Sequence, residues 1–251
     1  MRNITLQYKT ERNIVTAVED VSFQMEKSDR LILLGPSGCG KSTILKAIGG
    51  FIKCSRGEIL LNGETVKKPG PDRAFVFQEF DQLFPWKTAL ENVVFAMMET
   101  RRIKKRDAAR EARALLKKVK LADFENTYPH ALSGGMKQRA AIARCLALKS
   151  KIILMDEPFA SLDALTRQEM QEELLALWAE TRFTLVFVTH SIDEAITLGT
   201  RVVLLSPHPG RVVEEMTVDW SKIDSRSHPE YAAMKEKISY ILFKDKLEYV
   251  I

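Results

Sequence analysis

The sequence predicts an α/β fold in which helices cover a largely parallel sheet. Uninterrupted apolar runs at residues 152–155, 185–188 and 202–205 are typical of strands that are buried on both faces. A stretch with helical spacing, residues 166–180, stands between the first two of these runs. A fourth run, residues 30–34, leads directly into a glycine-rich loop and then into a helical pattern. Strands that alternate with helices in this way form parallel sheets.

Shorter strand-like runs and one helical block complete the pattern. Residues 3–8 and 21–25 precede the glycine loop, and residues 57–63 and 73–77 follow it, so the first third of the chain is rich in predicted strands. From residue 89 to residue 121 the sequence is dense in Ala, Leu, Arg and Glu, which favour helices. This block predicts a helical subdomain inside the α/β fold.

We expect a single domain over residues 1–251 with three parts. The core, together with a β subdomain, takes residues 1–88 and 150–220, and the helical subdomain takes residues 89–149. Residues 221–251 are expected to form a C-terminal helical extension, because apolar side chains recur there at helical spacing. These side chains are Tyr231, Met234, Ile238, Ile241 and Leu242.

Charge and cysteine content narrow the class of protein. The sequence has 38 Lys and Arg against 33 Asp and Glu, and this net charge of +5 is spread along the chain, so no nucleic-acid partner is expected. Cys39, Cys54 and Cys145 show no CxxC spacing, which indicates neither a disulfide framework nor a zinc site and fits a reducing compartment. No apolar run is long enough to cross a bilayer, so a role at a membrane requires another polypeptide.

The glycine loop has the spacing of a phosphate-binding loop. Residues 35–42, GPSGCGKS, fit G-x-x-x-x-G-K-[ST] between a strand and a helix. In such a loop the backbone N–H groups point inward, Lys41 places a cation on the β- and γ-phosphates, and the Ser42 hydroxyl can ligate Mg²⁺. The candidate nucleotide-binding residues are Gly35, Pro36, Ser37, Gly38, Cys39, Gly40, Lys41, Ser42 and Thr43.

Polar side chains stand at the ends of three other predicted strands. Asp156 and Glu157 follow the run 152–155, Gln78 follows the run 73–77, and His190 follows the run 185–188. Parallel sheets bind ligands at the carboxyl ends of their strands. We expect Asp156 to face a metal ion and Glu157 to orient or deprotonate an attacking water, with Gln78 and His190 near the γ-phosphate.

A second anion-binding device lies far from the first in the sequence. In LSGGMKQR, residues 132–139, a serine and two glycines precede a helical pattern, which leaves backbone N–H groups at the positive end of a helix dipole. One nucleotide does not need both devices from one subunit. Ser133, Gly134 and Gly135 therefore indicate a site shared between two subunits.

In this order the motifs resemble those of one protein family. The set GPSGCGKST, Gln78, LSGGMKQR, ILMDEP, Ser161-Leu162-Asp163 and His190 is similar to the nucleotide-binding subunit of ATP-binding cassette (ABC) transporters, over nearly the whole chain. The resemblance implies a P-loop NTPase core with an antiparallel β subdomain and an inserted α-helical subdomain. It also implies ATP and Mg²⁺ as cofactors and ATP hydrolysis coupled to transport as the activity.

The same resemblance implies roles for individual residues around one ATP molecule. Tyr8 would stack on the adenine ring. Gln78 would contact Mg²⁺ and sense the γ-phosphate, and Asp156 would hold the metal together with the Ser42 hydroxyl. Glu157 would be the general base, and His190 would be the switch at the γ-phosphate.

Other positions are implied to serve the assembly. Ser133, Gly134 and Gly135 would bind the ATP held by a second ABC subunit, and Asp163 would help to link the two sites. The expected assembly is a homodimer, although pairing with a different cassette stays open. The apolar, turn-prone segment 84–86, Phe-Pro-Trp, is expected to receive a helix of an integral membrane permease. A solute-binding protein outside the cytoplasm would act indirectly, and the chain would lie at the cytoplasmic face of the inner membrane.

Finer motifs resemble one branch of the family. FQE with LFPW, DEPF, DALTR, THSIDEA and LSPHPGR are similar to bacterial importers of nitrate, taurine and aliphatic sulfonates. Relatives in that branch that handle pyrimidine precursors, riboflavin or aromatic acids keep the substrate open. A soluble ABC ATPase of DNA repair or of ribosomes is the alternative function, although such proteins commonly carry tandem cassettes or a long coiled-coil insertion. A metabolic P-loop kinase would leave LSGGMKQR without a role.

Overall fold

The computed structural model describes residues 1–9, 13–220 and 227–247, with the side chains of residues 80 and 243–247 left out. The chain forms two compact units. The first unit comprises Met1–Gly70 and Thr184–Ile251, and the second comprises Pro71–Phe183. The predicted division at residues 88, 149 and 220 stays a prediction, and residues 221–226 and 248–251 of the predicted extension lie outside the described residues.

Eleven strands and seven α-helices occur among the described residues. The strands are β1 (Arg2–Lys9), β2 (Ile14–Val21), β3 (Arg30–Leu34), β4 (Arg56–Glu58), β5 (Leu60–Leu61), β6 (Glu64–Thr65), β7 (Arg73–Val76), β8 (Ile152–Asp156), β9 (Thr184–Thr189), β10 (Arg201–Leu205) and β11 (Val212–Thr217). The helices are α1 (Lys41–Ile48), α2 (Ala89–Arg101), α3 (Lys105–Lys118), α4 (Gly134–Ala147), α5 (Ala164–Thr181), α6 (Ile192–Leu198) and α7 (Pro229–Leu247). The α/β class predicted from the sequence is confirmed.

Two larger sheets and the two-stranded antiparallel sheet β5-β6 build the first unit. In one, the order is β11-β10-β3-β9, with β3 parallel to β9 and β10, and β11 antiparallel at the end. The other is the antiparallel sheet β2-β1-β4. Strands β3 and β9 are buried along their whole length, as their apolar runs predict. Leu34 pairs with Thr189, so the segments that follow β3 and β9 leave the same edge of the sheet side by side.

The second unit combines a parallel strand pair with a helical layer. Val76 of β7 pairs with Met155 of β8, which brings the segments after these strands to one edge. Helix α2 begins where Thr88 and Glu91 form a reciprocal capping box. It packs with α3 and α4 through buried apolar side chains such as Met97 and Leu116. This helical layer occupies the block that the sequence predicts as a helical subdomain.

Two strand predictions need correction. The run 21–25 is not a strand, because β2 runs from Ile14 to Val21 and ends where this run begins. Its alternating apolar residues instead reflect a segment that packs inward, with Phe23 buried and its carbonyl accepting a hydrogen bond from the Met1 amino group at 2.8 Å. Strands β2 and β11 were not predicted. Within the part of the chain that the structure describes, no helix combines the length and apolarity needed to cross a membrane.

Candidate nucleotide-binding site

The glycine loop, residues 35–42, connects β3 to α1 in the first unit and depends on glycine at two positions. Gly38 and Gly40 have φ of 81° and 96°, in the left-handed region that favours glycine. A Cβ on Gly40 would also lie 2.5 Å from Val18 Cγ2 and 2.8 Å from the Ala17 carbonyl oxygen. The loop can therefore curl back on itself only because residue 40 has no side chain.

Lys41 is a buried cation for which the described residues provide no counter-ion. Its side chain is 4% exposed, and Nζ donates to the carbonyl oxygens of Gly35 at 2.8 Å and Pro36 at 3.0 Å. Among the described residues, no carboxylate forms an ion pair with Nζ. Burying a charge is costly unless an opposite charge accompanies it. The loop is therefore suited to an anion, and the loop amides and Lys41 provide the donors that phosphate groups require.

A segment after β10 supports the glycine loop from behind. Gly210 donates a hydrogen bond to the Ala17 carbonyl and accepts one from the Glu19 amide, each at 3.0 Å. A Cβ on Gly210 would lie 2.0 Å from the Cys39 carbonyl oxygen, so the segment packs directly on the loop. Arg211 pairs with Glu19 at 2.6 Å, and this hydrogen bond raises the pKa of Arg211. Sequence reasoning used this segment only for the subgroup resemblance and missed its contact with the loop.

Tyr8 and His190 lie on the same unit as the glycine loop. The Tyr8 hydroxyl donates to Thr43 Oγ1 at 3.0 Å, and 41% of the Tyr8 side chain is exposed. This contact places the ring beside the first turn of α1, where Ser42 also lies. His190 is exposed and directly follows β9, the strand that pairs with β3. The first unit thus places the loop and His190 after neighbouring strands at one sheet edge, and it places Tyr8 beside the helix that the loop leads into.

In the second unit, Gln78 follows β7 while Asp156 and Glu157 stand at the end of β8, so all three lie at one edge of the strand pair. Asp156 is buried as the last residue of β8, whereas Gln78 is exposed. Glu157 has φ of 42°, a conformation that costs a non-glycine residue about 1–3 kcal/mol and that recurs at functional sites. The positive φ marks a change of backbone direction directly after β8.

The second anion-binding device is a helix N-terminus, as the sequence predicts. Ser133 caps α4 by accepting a hydrogen bond from the Met136 amide at 3.3 Å, and its side chain is exposed. Asp163 caps α5 in the same way, and the hydrogen bond from the Thr166 amide lowers the pKa of this carboxyl. A Cβ on Gly135 would lie 3.1 Å from Thr166 Cγ2, so the two helix starts are in contact.

Three side-chain amides, which we name the amide cluster, organise the segment after Gln78. Gln82 accepts from the Phe77 amide and donates to the carbonyls of Phe77 and Glu79, each at 3.1 Å, and it donates to Gln138 Oε1 on α4 at 3.3 Å. Asn92 accepts from the Phe84 amide at 2.8 Å and donates to the Phe84 carbonyl at 3.2 Å. The amide cluster is Gln82, Asn92 and Gln138.

Sequence reasoning missed the amide cluster, although one signal was present. Asn92 and Gln138 are both fully buried, and each stands among apolar residues of a helix. A polar residue in such a position is tolerated only when it is hydrogen-bonded. The pattern alone does not reveal the partner, because the bonds of Asn92 go to the backbone of a loop.

An exposed aromatic surface borders the amide cluster. Trp86 is 69% exposed, and its ring lies 5.5 Å from that of Phe84, which in turn makes an edge contact with Phe95 at 5.2 Å. Arg144 of α4 lies over the Phe84 ring at 5.8 Å and donates to the Gln82 carbonyl at 2.8 Å. We call Phe84, Trp86 and Phe95 the aromatic surface.

The loop, its unpaired lysine and the polar strand ends define a class of protein, the P-loop nucleotide hydrolases. The sequence profile of the ABC transporter family matches residues 18–160, and the chain belongs to this family. It is 45% identical over 236 residues to the taurine import ATP-binding protein TauB of Rhizobium johnstonii, with 91% of this chain and 89% of that protein covered. It is 41% identical over 212 residues to the aliphatic sulfonates import ATP-binding protein SsuB of Bacillus cereus, with coverage of 84% and 82%.

A solved structure shares the fold. The ATP-binding cassette MJ0796, determined as a dimer in a post-hydrolysis state with ADP and Pi, matches with a TM-score of 0.76 and 34% identity. The match covers 87% of this chain and 97% of that chain. The predicted P-loop NTPase fold and the predicted identity as an ATP-hydrolysing ABC subunit are both confirmed. A non-transport ATPase is not favoured, because the relatives are named as import proteins.

Proposed function

We propose that this chain powers the uptake of small sulfonates such as taurine, as one of two ATP-hydrolysing subunits beneath a membrane permease. The observation that carries this proposal is the similarity, over most of the chain, to proteins named for taurine and aliphatic sulfonate import. The buried, unpaired ammonium of Lys41 supports nucleotide binding independently.

The donor set of this chain fits Mg²⁺ as well as ATP. We assign metal ligation to the Ser42 hydroxyl, the Gln78 amide and the Asp156 carboxylate, which are hard oxygen ligands. Mg²⁺ is usually held by one or two protein groups plus phosphates and waters. Accordingly, the described residues contain no cluster of three His, Cys, Asp or Glu side chains that would indicate another kind of metal centre. Bound Mg²⁺ would neutralise charge on the phosphate oxygens.

We assign the chemistry of hydrolysis to residues at the strand ends. Glu157 accepts a proton from the attacking water. We expect the backbone turn at its φ of 42° to help orient its carboxylate. His190, exposed after β9, contacts the γ-phosphate and responds to its loss. The amides of the glycine loop and Lys41 hold the phosphates, and the exposed Tyr8 ring stacks on adenine.

We infer that two copies of the chain close around two ATP molecules. Ser133, Gly134 and Gly135 of one copy complete the phosphate site of the other through the N-terminus of α4. The contact between Gly135 and Thr166 ties this helix start to Asp163, which links the two sites. Because ATP then stabilises the closed pair alone, binding closes the pair and hydrolysis opens it.

The aromatic surface is the proposed docking site of the permease. Trp86 is 69% exposed, and large exposed aromatic groups that cluster with one another commonly mark a protein interface. The amide cluster ties the backbone beneath this surface to α4, whose N-terminus carries Ser133. Docking at the cytoplasmic face of the inner membrane would thus be transmitted to α4. A solute-binding protein would deliver the cargo from outside.

Uptake and hydrolysis measured together test the proposal. In the source organism, loss of this chain should abolish accumulation of radiolabelled taurine and short alkanesulfonates, and the wild-type gene should restore it. The Glu157→Gln variant should bind ATP but hydrolyse it about 100-fold more slowly, and it should not restore uptake. If cells that lack this chain still take up taurine but no longer take up nitrate, the sulfonate assignment is refuted. A Glu157→Gln enzyme with normal phosphate release would refute the general base.

A further inference from the structure

The C-terminal helix α7 packs on α6, the short helix that follows His190. Tyr231 and Ile238 of α7 are buried, with 4% and 0% of their side chains exposed. The region matched by the family profile ends at residue 160, well before α7 begins at Pro229.

One carboxylate of α6 is held by two donors from α7. Asp193 lies in the first turn of α6, and its Oδ1 accepts a hydrogen bond from the Tyr231 hydroxyl at 2.9 Å. Lys235 Nζ donates to Oδ1 at 2.8 Å and to Oδ2 at 3.0 Å. Because Tyr231 and Lys235 are four residues apart, they stand one turn apart on the same face of α7. Together they form a clasp on Asp193.

The clasp acts on the turn that carries His190. Ser191 caps α6 by accepting from the Glu194 amide at 3.3 Å, and the Ser191 amide donates to Thr189 Oγ1 at 3.0 Å. The Thr189 hydroxyl donates in turn to the Glu194 carboxylate. Residues 189–194 are thus one hydrogen-bonded turn, and His190 is exposed on it. A displacement of Asp193 would move this whole turn.

The other end of α6 is fixed without α7. The Leu198 carbonyl accepts from Arg30 Nε at 2.5 Å, and the Gly199 carbonyl accepts from Trp220 Nε1 at 3.0 Å. Arg30 is the first residue of β3, so this end of α6 is anchored to the sheet. The clasp is therefore placed at the end of α6 where it can set the orientation of His190.

We propose that Tyr231 and Lys235 are positioning residues, which act through Asp193 to hold His190 in the orientation that ATP hydrolysis requires. This inference rests on the proposed role of His190 at the γ-phosphate. We assign most of the nucleotide affinity to the glycine loop and Tyr8, and the hydrogen bonds of the clasp described above reach neither of them. Loss of the clasp should therefore lower kcat and leave KM for ATP nearly unchanged.

The test uses the full chain with Tyr231→Phe and Lys235→Gln combined, which removes both donors and keeps the buried ring. We expect kcat for ATP to fall about five-fold while KM changes less than about two-fold. Amide hydrogen exchange of residues 190–195 should be faster in this variant without nucleotide. The matched control is Lys237→Gln, which breaks another ion pair of α7, to Glu214 on β11 at 2.5 Å, and should match the wild type.

Exchanging the charges of Asp193 and Lys235 distinguishes a positioning role of the clasp from a purely structural role. Asp193→Lys combined with Lys235→Asp restores an ion pair with reversed polarity, and it should recover at least about half of the lost kcat. Wild-type kcat in the Tyr231→Phe, Lys235→Gln variant, or an equal loss in Lys237→Gln, would overturn the inference. If the wild-type chain hydrolyses no ATP but the Tyr231→Phe, Lys235→Gln variant still shows faster exchange at residues 190–195, the clasp is supported and the proposed function is refuted.

Discussion

The glycine loop and the amide cluster reach a defined geometry by opposite means. The loop is shaped by the backbone, because Gly38 and Gly40 adopt positive φ and a Cβ on Gly40 has no room. The amide cluster is shaped by side chains, because Gln82 and Asn92 hold a loop of ordinary residues through amide hydrogen bonds. A site built from backbone resists most changes of side chain but fails when one carbon is added. A site built from side chains fails when a single amide is lost.

The two regions also differ in what is left unsatisfied. In the glycine loop the surplus is a positive charge, since Lys41 is buried against carbonyl oxygens. In the amide cluster the surplus is a donor, because among the described residues no acceptor lies within reach of Gln138 Nε2. A buried charge favours the binding of a ligand of opposite charge. A buried amide hydrogen without an acceptor instead lowers the free energy of unfolding by about 1–3 kcal/mol. The difference fits the proposed roles, which are ligand binding for the glycine loop and coupling to the permease for the amide cluster.

The largest predicted effect comes from one methyl group in the glycine loop. In Gly40→Ala the new Cβ would lie 2.5 Å from Val18 Cγ2 on a backbone of φ 96°, so the loop must open. We expect the affinity for ATP to fall at least about 100-fold, measured by titration with a fluorescent ATP analogue.

The matched control for Gly40→Ala is Gly63→Ala. Gly63 has φ of 83°, but nothing lies within 4 Å of its added Cβ. This variant should lose about 1 kcal/mol of stability from backbone strain and keep wild-type ATP affinity. Equal ATP affinity in the two variants would contradict the view that the loop depends on the space at residue 40.

A smaller and asymmetric effect is predicted in the amide cluster. Gln82→Met removes the partner of the Phe77 amide and leaves the whole buried amide of Gln138 unpaired, so we expect a loss of about 2 kcal/mol in the free energy of unfolding. Gln138→Met is the matched control. It removes the unsatisfied Nε2 and leaves Gln82 with its backbone partners, so it should cost less than about 1 kcal/mol. Urea unfolding of both variants measures the difference, and equal losses would refute this account.

The same contrast explains what the sequence could predict. The places of Gly40, Lys41 and Ser133 at the starts of helices could be predicted from residue type and spacing, and backbone amides at a helix start are suited to bind anions. The parallel strands could be predicted because burial on both faces leaves an apolar run. The roles of these residues, like those of Tyr8, Gln78 and Glu157, stay predictions, and the Glu157→Gln variant tests the role of Glu157.

Contacts between side chains distant in the sequence could not be predicted in this way. Gln82 meets Gln138 across 56 residues, and Tyr231 meets Asp193 across 38 residues. The sequence around one partner does not identify the other partner. Strand β2 was missed and residues 21–25 were predicted in its place for a related reason, since the pairing of β2 with β1 outweighs the alternation at residues 21–25. Tertiary partners, and not local preference, decide these positions.

The smallest predicted effect is a dependence of the free energy of unfolding on pH. It arises from Cys145 on α4, the helix that also carries Gln138 of the amide cluster. Burial raises the pKa of the Cys145 thiol from 9.0 to about 11, and Sγ donates to the Phe75 carbonyl at 3.3 Å. The unfolded chain releases this proton near pH 9 and the folded chain does not, so stability is lost as pH rises from 9 to about 11. Relative to Cys145→Ala, the wild type should lose about 1 kcal/mol between pH 8 and pH 9.5. Urea unfolding at both pH values checks this, and a difference between the two proteins that does not change with pH would show that the thiol is not shielded by α4 packing.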